Sequence, residues 1–261
     1  MSLFDLSKKI VLVTGATQGI GFSIAKGFAK AGAQVYLNGR NPDKVDTALT
    51  DLKADGVAAK GSIFDVTSKE QLKKAIGEII SEVGKIDVLV NNAGIIKRAP
   101  LEHLEEEDWE AVIQTDLTAP FMMGKYVAQG MIKNGGGKII NICSLMSEIG
   151  RDTVAAYAAA KGGLKMLTKS MATEWARHNI QINGIGPGYI ATPINAVYRE
   201  PGNPLNNYII SRTPAGRWGT PDDLVGTALY LASPAADFVN GQIIYVDGGL
   251  LASFGNPDMK S

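Results

Sequence analysis

Six short runs recur along the chain and are mostly apolar: IVLV (10–13), QVYLN (34–38), IDVLV (86–90), KIINI (138–142), IQINGI (180–185) and QIIYV (242–246). A strand with one wet face alternates apolar and polar residues, so runs that are apolar on both faces need cover on both sides. The intervening stretches, such as GFSIAKGFAKAG and KEQLKKAIGEIISEVG, have helical periodicity and supply that cover. With a weaker strand near VAAKGS (57–62), the alternation predicts an α/β fold, doubly wound around a parallel sheet, in one domain over 1–261. The longest stretch without such a pattern, 186–219, holds five prolines and reads as an irregular loop of the kind that forms substrate lids.

Charge and composition remove several function classes. Twenty-six basic residues balance 26 acidic ones, which leaves no cationic excess for nucleic acid or an anionic membrane. The start, MSLFDLSKK, lacks the apolar run of a secretory signal, and no stretch reaches the about 18 apolar residues of a membrane span. A soluble cytoplasmic protein is expected. The lone Cys143 permits no intrachain disulfide, and only His103 and His178 offer imidazole, without zinc-site spacing, so no metal is expected. Cys143, Trp109, Trp175, Trp218, Met122 and Met123 read as packing or interface residues, and His103 as part of a solvated helix start.

Chemistry begins at VTGATQGIG, which follows the first strand and opens a helix. Gly15, Gly19 and Gly21 stand where the backbone turns tightly and a ligand approaches closely, and the helix's amino end would favour a phosphate. This outlines a dinucleotide site; a strand-to-helix turn without a ligand is the alternative. After the second strand, VYLNGRN presents Arg40 and no carboxylate, which favours the 2′-phosphate of NADP over NAD. NAD stays open, because Asn38 can hydrogen-bond a hydroxyl and Arg40 can be a solvated loop cation. Asp65, in IFDV, suits either the adenine amino group or a helix cap.

Tyr157 and Lys161 stand four residues apart in AAYAAAKGG and share a helix face. At an effective dielectric of about 20, unit charges about 4 Å apart interact by roughly 4 kcal/mol, enough for an ammonium to favour a neighbouring tyrosinate. Such a phenol can accept an alcohol's proton or return it to a carbonyl. Ser144, ending the fifth strand, is placed to hydrogen-bond the same substrate oxygen.

Together TGATQGIG (14–21), NNAG (91–94), Ser144, YAAAK (157–161), Pro187, Gly188 and Thr192 resemble the short-chain dehydrogenase/reductase family from about residue 7 to residue 250. The resemblance implies a Rossmann-type seven-stranded parallel sheet in the order 3-2-1-4-5-6-7. It also implies a nicotinamide cofactor and a catalytic Ser144, Tyr157 and Lys161 assisted by an asparagine. Cofactor contacts would fall on Gly15, Thr17, Gly19, Ile20 and Gly21, on Arg40, Asp65 and Val66, and on Asn92, Ala93 and Gly94. Tyr157, Lys161, Pro187, Gly188 and Thr192 would complete them. The chain departs from the family at the assisting position, where Asp116 replaces asparagine. Aspartate can substitute if a backbone carbonyl does the work through a water, and its charge would oppose tyrosinate while favouring charged Lys161.

Within the family, NICSLMSEIGRDTVAAYAAAKGGLKMLTK, NNAGIIKR and TPAGRWG look most similar to gluconate 5-dehydrogenases, which interconvert gluconate and 5-ketogluconate. A sugar acid needs a cation, and Lys97, Arg98 and Arg151 lie just after strands four and five, with Arg98 the preferred anchor beside substrate-binding Ser144 and Tyr157. The alternatives are another sugar-acid or polyol dehydrogenase, or a 3-oxoacyl-carrier-protein reductase. A non-catalytic dinucleotide sensor would be expected to have lost the tyrosine or lysine. An apolar edge strand needs covering, and the resemblance implies a homotetramer.

Overall fold

The computed structural model describes residues 3–200 and 202–254. The ends of the expected domain, 1–2 and 255–261, and Pro201 within the expected lid lie outside them. Strands β1 (Ile10–Val13), β2 (Gln34–Gly39), β3 (Lys60–Ile63), β4 (Val88–Asn91), β5 (Gly137–Ile142), β6 (Ile180–Pro187) and β7 (Ile243–Val246) form one sheet in the order β3-β2-β1-β4-β5-β6-β7. Every pairing is parallel. Helices α1 (Gly19–Lys30), α2 (Pro42–Ala54), α3 (Lys69–Val83), α4 (Glu106–Ile113), α5 (Ala119–Lys133), α6 (Ala155–Trp175), α7 (Pro204–Arg212) and α8 (Val225–Ala232) follow in chain order.

The strand periodicity of two divides the core. Val11 and Val13 pack with Ile24 and Phe28 of α1, Leu52 of α2 and Leu231 of α8. Leu12 and Leu89 point the other way, to Leu72 and Ile76 of α3, Met123 and Val127 of α5, and Met171 of α6. Two-sided burial holds where neighbours exist: β1, β4 and β6 are buried throughout, whereas the edges β3 and β7 are not. Hence KGSI carries a weaker apolar pattern than the centre, whereas IIYV stays apolar at an edge that is only half-buried, and the weak strand begins at Lys60 rather than 57.

Polar residues inside central strands are paired to one another. Asn91 Nδ2 donates to Asn141 Oδ1 at 2.9 Å, Asn141 Nδ2 donates to Thr168 Oγ1 at 2.9 Å, and Thr168 Oγ1 donates to the Leu164 carbonyl at 2.8 Å. This buried ladder locks β4 and β5 to the middle of α6, the helix that carries Tyr157 and Lys161.

The 186–219 segment differs from its expected irregularity. Two 3-10 turns joined at a kink at Asn195 span Pro193–Arg199 and α7 runs Pro204–Arg212, after caps at Thr192 and Asn203. Proline's fixed φ and missing N–H suit a first helical turn, so Pro193 and Pro204 start helices here rather than break them.

Asn141→Ala would remove both rungs of the buried ladder. The expected cost is about 1–3 kcal/mol, seen as a lower urea midpoint with unchanged slope.

Candidate active site

The site lies along the carboxyl ends of the strands. At β1 the chain turns through Gly15, at φ +59°, where a Cβ would stand 2.7 Å from Ala93 Cα. That approach is held by Thr14, whose Oγ1 accepts the N–H groups of Asn92 (3.0 Å) and Ala93 (3.1 Å) and donates to the Val90 carbonyl. Asn92 Nδ2 returns the contact, donating to the carbonyls of Thr14 and Gly15 at 2.9 and 2.8 Å. The first glycine turn and the NNAG turn are therefore one welded unit.

Asn38 proves to belong to this scaffold. Its Oδ1 accepts the Gly15 N–H at 3.2 Å and its Nδ2 donates to the Ser62 and Phe64 carbonyls. At 1% exposure it is out of reach of a ribose hydroxyl, which corrects the role read for it from the sequence. The signal was present: an amide inside an otherwise apolar strand must be paired.

Helix α1 starts at Gly19 after an extended Gln18, with no side-chain cap and no acid in its first turn. Helices α2 and α3 differ, being capped by Asn41 and Ser68. An uncapped amino end beside Thr17, Ile20 and Gly21 fits a phosphate group. Arg40 is exposed at the tip of β2, and Val66 is buried after β3. Asp65 Oδ1 accepts the Thr67 N–H and hydroxyl at 2.8 and 2.7 Å. Burial opposes its charge, yet those bonds and the Arg40 cation hold the carboxyl below its ordinary range. Since Ser68 caps α3, the capping role read for Asp65 falls away.

Lys161 is 4% exposed, and its Nζ donates to the Ile142 carbonyl at 2.9 Å, two residues before Ser144. The ammonium lies 5.5 Å from the centre of the Tyr157 ring and 3.2 Å from Asp116 Oδ2. Tyr157 is half-buried against Val112, Ala156 and Ala160. Ser144 is buried, and its Oγ accepts the Met146 N–H at 3.1 Å, which leaves its own proton to donate elsewhere.

Asp116 sits in a π-helical turn, Gln114–Thr118, inserted between α4 and α5. Such wide turns re-aim side chains that a regular helix would point elsewhere. Here the carboxylate is fully buried, with Oδ1 accepting the Ile95 N–H at 2.8 Å. Its Oδ2 lies where a Cβ on Gly94 would be 2.7 Å away, so only glycine fits beside it. Asp116 thus meets Lys161, as the family resemblance implied for this position, and also joins it to the NNAG turn through Ile95. Burial penalises the Lys161 charge, but Asp116, with Tyr157 and Cys143 also facing the ammonium, holds its pKa above the ordinary lysine value. Burial likewise pushes the Asp116 carboxyl up, against the pull of Lys161 and the Ile95 N–H. The thiol of Cys143 is pushed up to about 11 by burial, as befits a packing residue.

The three cations expected near a substrate go to different places. Lys97 is ion-paired with Asp108 of α4 at 2.8 Å. The exposed Arg98 guanidinium lies 5.7 Å from the Tyr198 ring centre. Arg151 Nη1 donates to the Tyr189 hydroxyl at 3.4 Å, and Tyr189 in turn packs edge-on against Trp218 at 5.7 Å. Arg98 and Arg151 therefore face the 186–219 segment, while Lys97 faces α4. Pro187 is buried at the end of β6, and Gly188 packs against Asp247, where a Cβ would be 2.7 Å from its Cα. Thr192 stands across from the glycine turn, its Cγ2 3.5 Å from where a Cβ on Gly19 would be.

A parallel sheet with a glycine-rich first turn and a buried lysine near a serine and a tyrosine defines a dinucleotide-dependent oxidoreductase. The chain belongs to the short-chain dehydrogenase/reductase family: a model of that family described as enoyl-(acyl carrier protein) reductase matches residues 15–251. It is 53% identical over 258 residues to a 2-dehydro-3-deoxy-D-gluconate 5-dehydrogenase of Formosa agariphila, covering 98% of each chain. It is 47% identical to the gluconate 5-dehydrogenase of Gluconobacter oxydans, over 96% of this chain and 98% of that one. A crystal structure of a gluconate 5-dehydrogenase from Burkholderia cenocepacia in complex with NADP and tartrate superposes with a TM-score of 0.91. It is 47% identical, over 96% of this chain and 98% of that one. Among the described residues no helix is long and apolar enough to cross a membrane.

At 3.2 Å the Asp116 carboxylate favours the Lys161 ammonium by roughly 5 kcal/mol at an effective dielectric of about 20. Asp116→Asn keeps the shape and removes that charge, while burial remains, so Lys161 loses its proton at lower pH. The alkaline limb of the kcat–pH profile is expected to move down by about one unit or more; an unmoved limb would show that the pair does not set the lysine's charge.

Proposed function

We propose that this protein is an NADP-dependent oxidoreductase interconverting D-gluconate and 5-keto-D-gluconate at the secondary alcohol of C5. The observation that carries this reading is the arrangement of Tyr157 beside Lys161 near Ser144, with Arg98 and Arg151 turned toward the segment across the cleft. Relatives named for gluconate and for 2-dehydro-3-deoxy-D-gluconate, both acted on at position 5, support the substrate class.

The uncapped start of α1 would hold the cofactor's phosphates, Arg40 the 2′-phosphate, and Asp65 with Val66 the adenine. Asn92, Ala93 and Gly94, with Pro187, Gly188 and Thr192, would line its nicotinamide end. When bound, the nicotinamide supplies or takes up hydride at the substrate carbon. Tyr157 takes the C5 hydroxyl proton in oxidation and returns it in reduction. Ser144 donates its free proton to the same oxygen as negative charge develops there. The Lys161 ammonium stands 5.5 Å from the centre of the phenol ring, where it faces the oxygen that gains or loses the proton's charge, and Asp116 keeps the ammonium in place. Arg151, oriented by Tyr189, and Arg98, lying over Tyr198, are the anchors for the substrate carboxylate, with Lys97 reserved to Asp108. The 186–219 segment covers the substrate in this reading.

One observation favours a second substrate: the 53% identical relative is named for 2-dehydro-3-deoxy-D-gluconate. That compound shares the carboxylate and C5 alcohol but differs at C2 and C3, so the same residues would act on it. The proposed enzyme is cytoplasmic and a homotetramer, with β7 at an incompletely buried sheet edge and Trp109, Phe121 and Met166 exposed on α4, α5 and α6.

Change in absorbance at 340 nm tests the reading. NADPH should be consumed with 5-keto-D-gluconate and NADP reduced with D-gluconate; a higher kcat/KM for 2-dehydro-3-deoxy-D-gluconate would transfer the assignment to that substrate. Tyr157→Phe should lower kcat by about 10²–10⁴-fold while NADPH still binds. Arg151→Ala and Arg98→Ala should raise KM for the sugar acid more than for an uncharged polyol, and Arg40→Ala should raise KM for NADP more than for NAD. Light scattering should return four times the 27.6 kDa chain mass.

A further inference from the structure

We infer that Ser147 is a positioning residue for the proposed reaction, setting the separation between Ser144 and the helix that carries Tyr157 and Lys161. Its hydroxyl donates to the Lys161 backbone carbonyl at 2.9 Å and accepts the Ser144 backbone N–H at 3.3 Å. One oxygen therefore joins Ser144 and Lys161 through their main chains. Only a hydroxyl can donate and accept from one atom in so small a space; alanine does neither. The Lys161 carbonyl lies in the interior of α6, where the helix already provides it with a donor, so the bond adds nothing needed to close the helix. Its effect is to fasten the 144–148 turn to α6.

The turn itself is internally braced. Ser144 Oγ is aimed by the Met146 N–H at 3.1 Å, and the Ser147 N–H donates to the Ser144 carbonyl at 3.0 Å. Glu148 adds a second fastening: both its oxygens take Lys165 Nζ at 2.6 Å, one turn along from Lys161, and one also accepts the Tyr245 hydroxyl of β7 at 2.7 Å. That carboxylate is 35% exposed, so solvent weakens it, and the less exposed Ser147 bridge carries the constraint. The inference rests on the proposed reading only in that Ser144, Tyr157 and Lys161 act together on one carbonyl oxygen.

Threonine and valine at this position have nearly the same volume, and only threonine keeps the hydroxyl. Ser147→Val is expected to lower kcat about 10- to 100-fold, with the dissociation constant for NADPH within about twofold of wild type. Hydrogen exchange in the 143–149 peptide should be faster in Ser147→Val. Ser147→Thr should stay near wild type in both measurements, and Ser147→Ala repeats the comparison should valine not fold. The inference is overturned if valine retains the wild-type kcat, if threonine and valine fall alike, or if exchange does not change. Rates are taken with whichever ketone the wild type reduces. Failure with 5-keto-D-gluconate alone then counts against the substrate and not against Ser147, whereas no turnover with any ketone overturns both.

Discussion

A lysine and an aspartate buried together, 3.2 Å apart, hold this site in one arrangement. Removing two charges from water is costly, and the pair persists because each partner has a further bond: Asp116 to the Ile95 N–H, Lys161 to the Ile142 carbonyl. Those bonds draw together the turn after β4, the π-helical turn before α5, the end of β5 and the face of α6. A drift of any one of the four segments would leave a buried charge uncompensated. The ammonium beside Tyr157 is thus fixed by electrostatics as much as by packing.

The same logic extends along the carboxyl edge of the sheet. Asn38, Asn91 and Asn141 interrupt otherwise apolar strands, Thr14 and Asn92 directly follow β1 and β4, and each spends its hydrogen bonds on neighbouring backbone or side chains. They make the turns rigid where a ligand must approach closely. Helix α1, at the glycine turn, has an amino end with no side-chain cap and no acid in its first turn, while α2 and α3, which follow the next two strands, are capped. A rigid scaffold around an uncapped helix end at a glycine turn is what an anionic ligand requires.

Much of this was legible without coordinates. Two-faced apolar runs implied a covered parallel sheet, and the family motifs supplied the strand order that the sheet adopts. Tyr157 and Lys161 were legible because a helix puts residues four apart on one face. Other readings failed where a residue's partner is distant in sequence. Asn38 is held by Gly15, Ser62 and Phe64, so a role assigned from local position misses the contact that decides it. The prolines of 186–219 read as loop punctuation because proline suits both a break and a first helical turn; Thr192 and Asn203 before them were the discriminating signal.

What the sequence by itself determined is the layered fold, the glycine turn at the first strand and the tyrosine–lysine face, since all of these follow from short-range periodicity and backbone sterics. Only the tertiary structure decided that Asp116 bonds the Ile95 N–H, that Ser147 bridges Ser144 to α6, and that Arg98 and Arg151 turn toward Tyr198 and Tyr189. Those contacts depend on how separate elements are brought together over the sheet edge. Burial and distance set their strength, and neither is written in the spacing of residues along the chain.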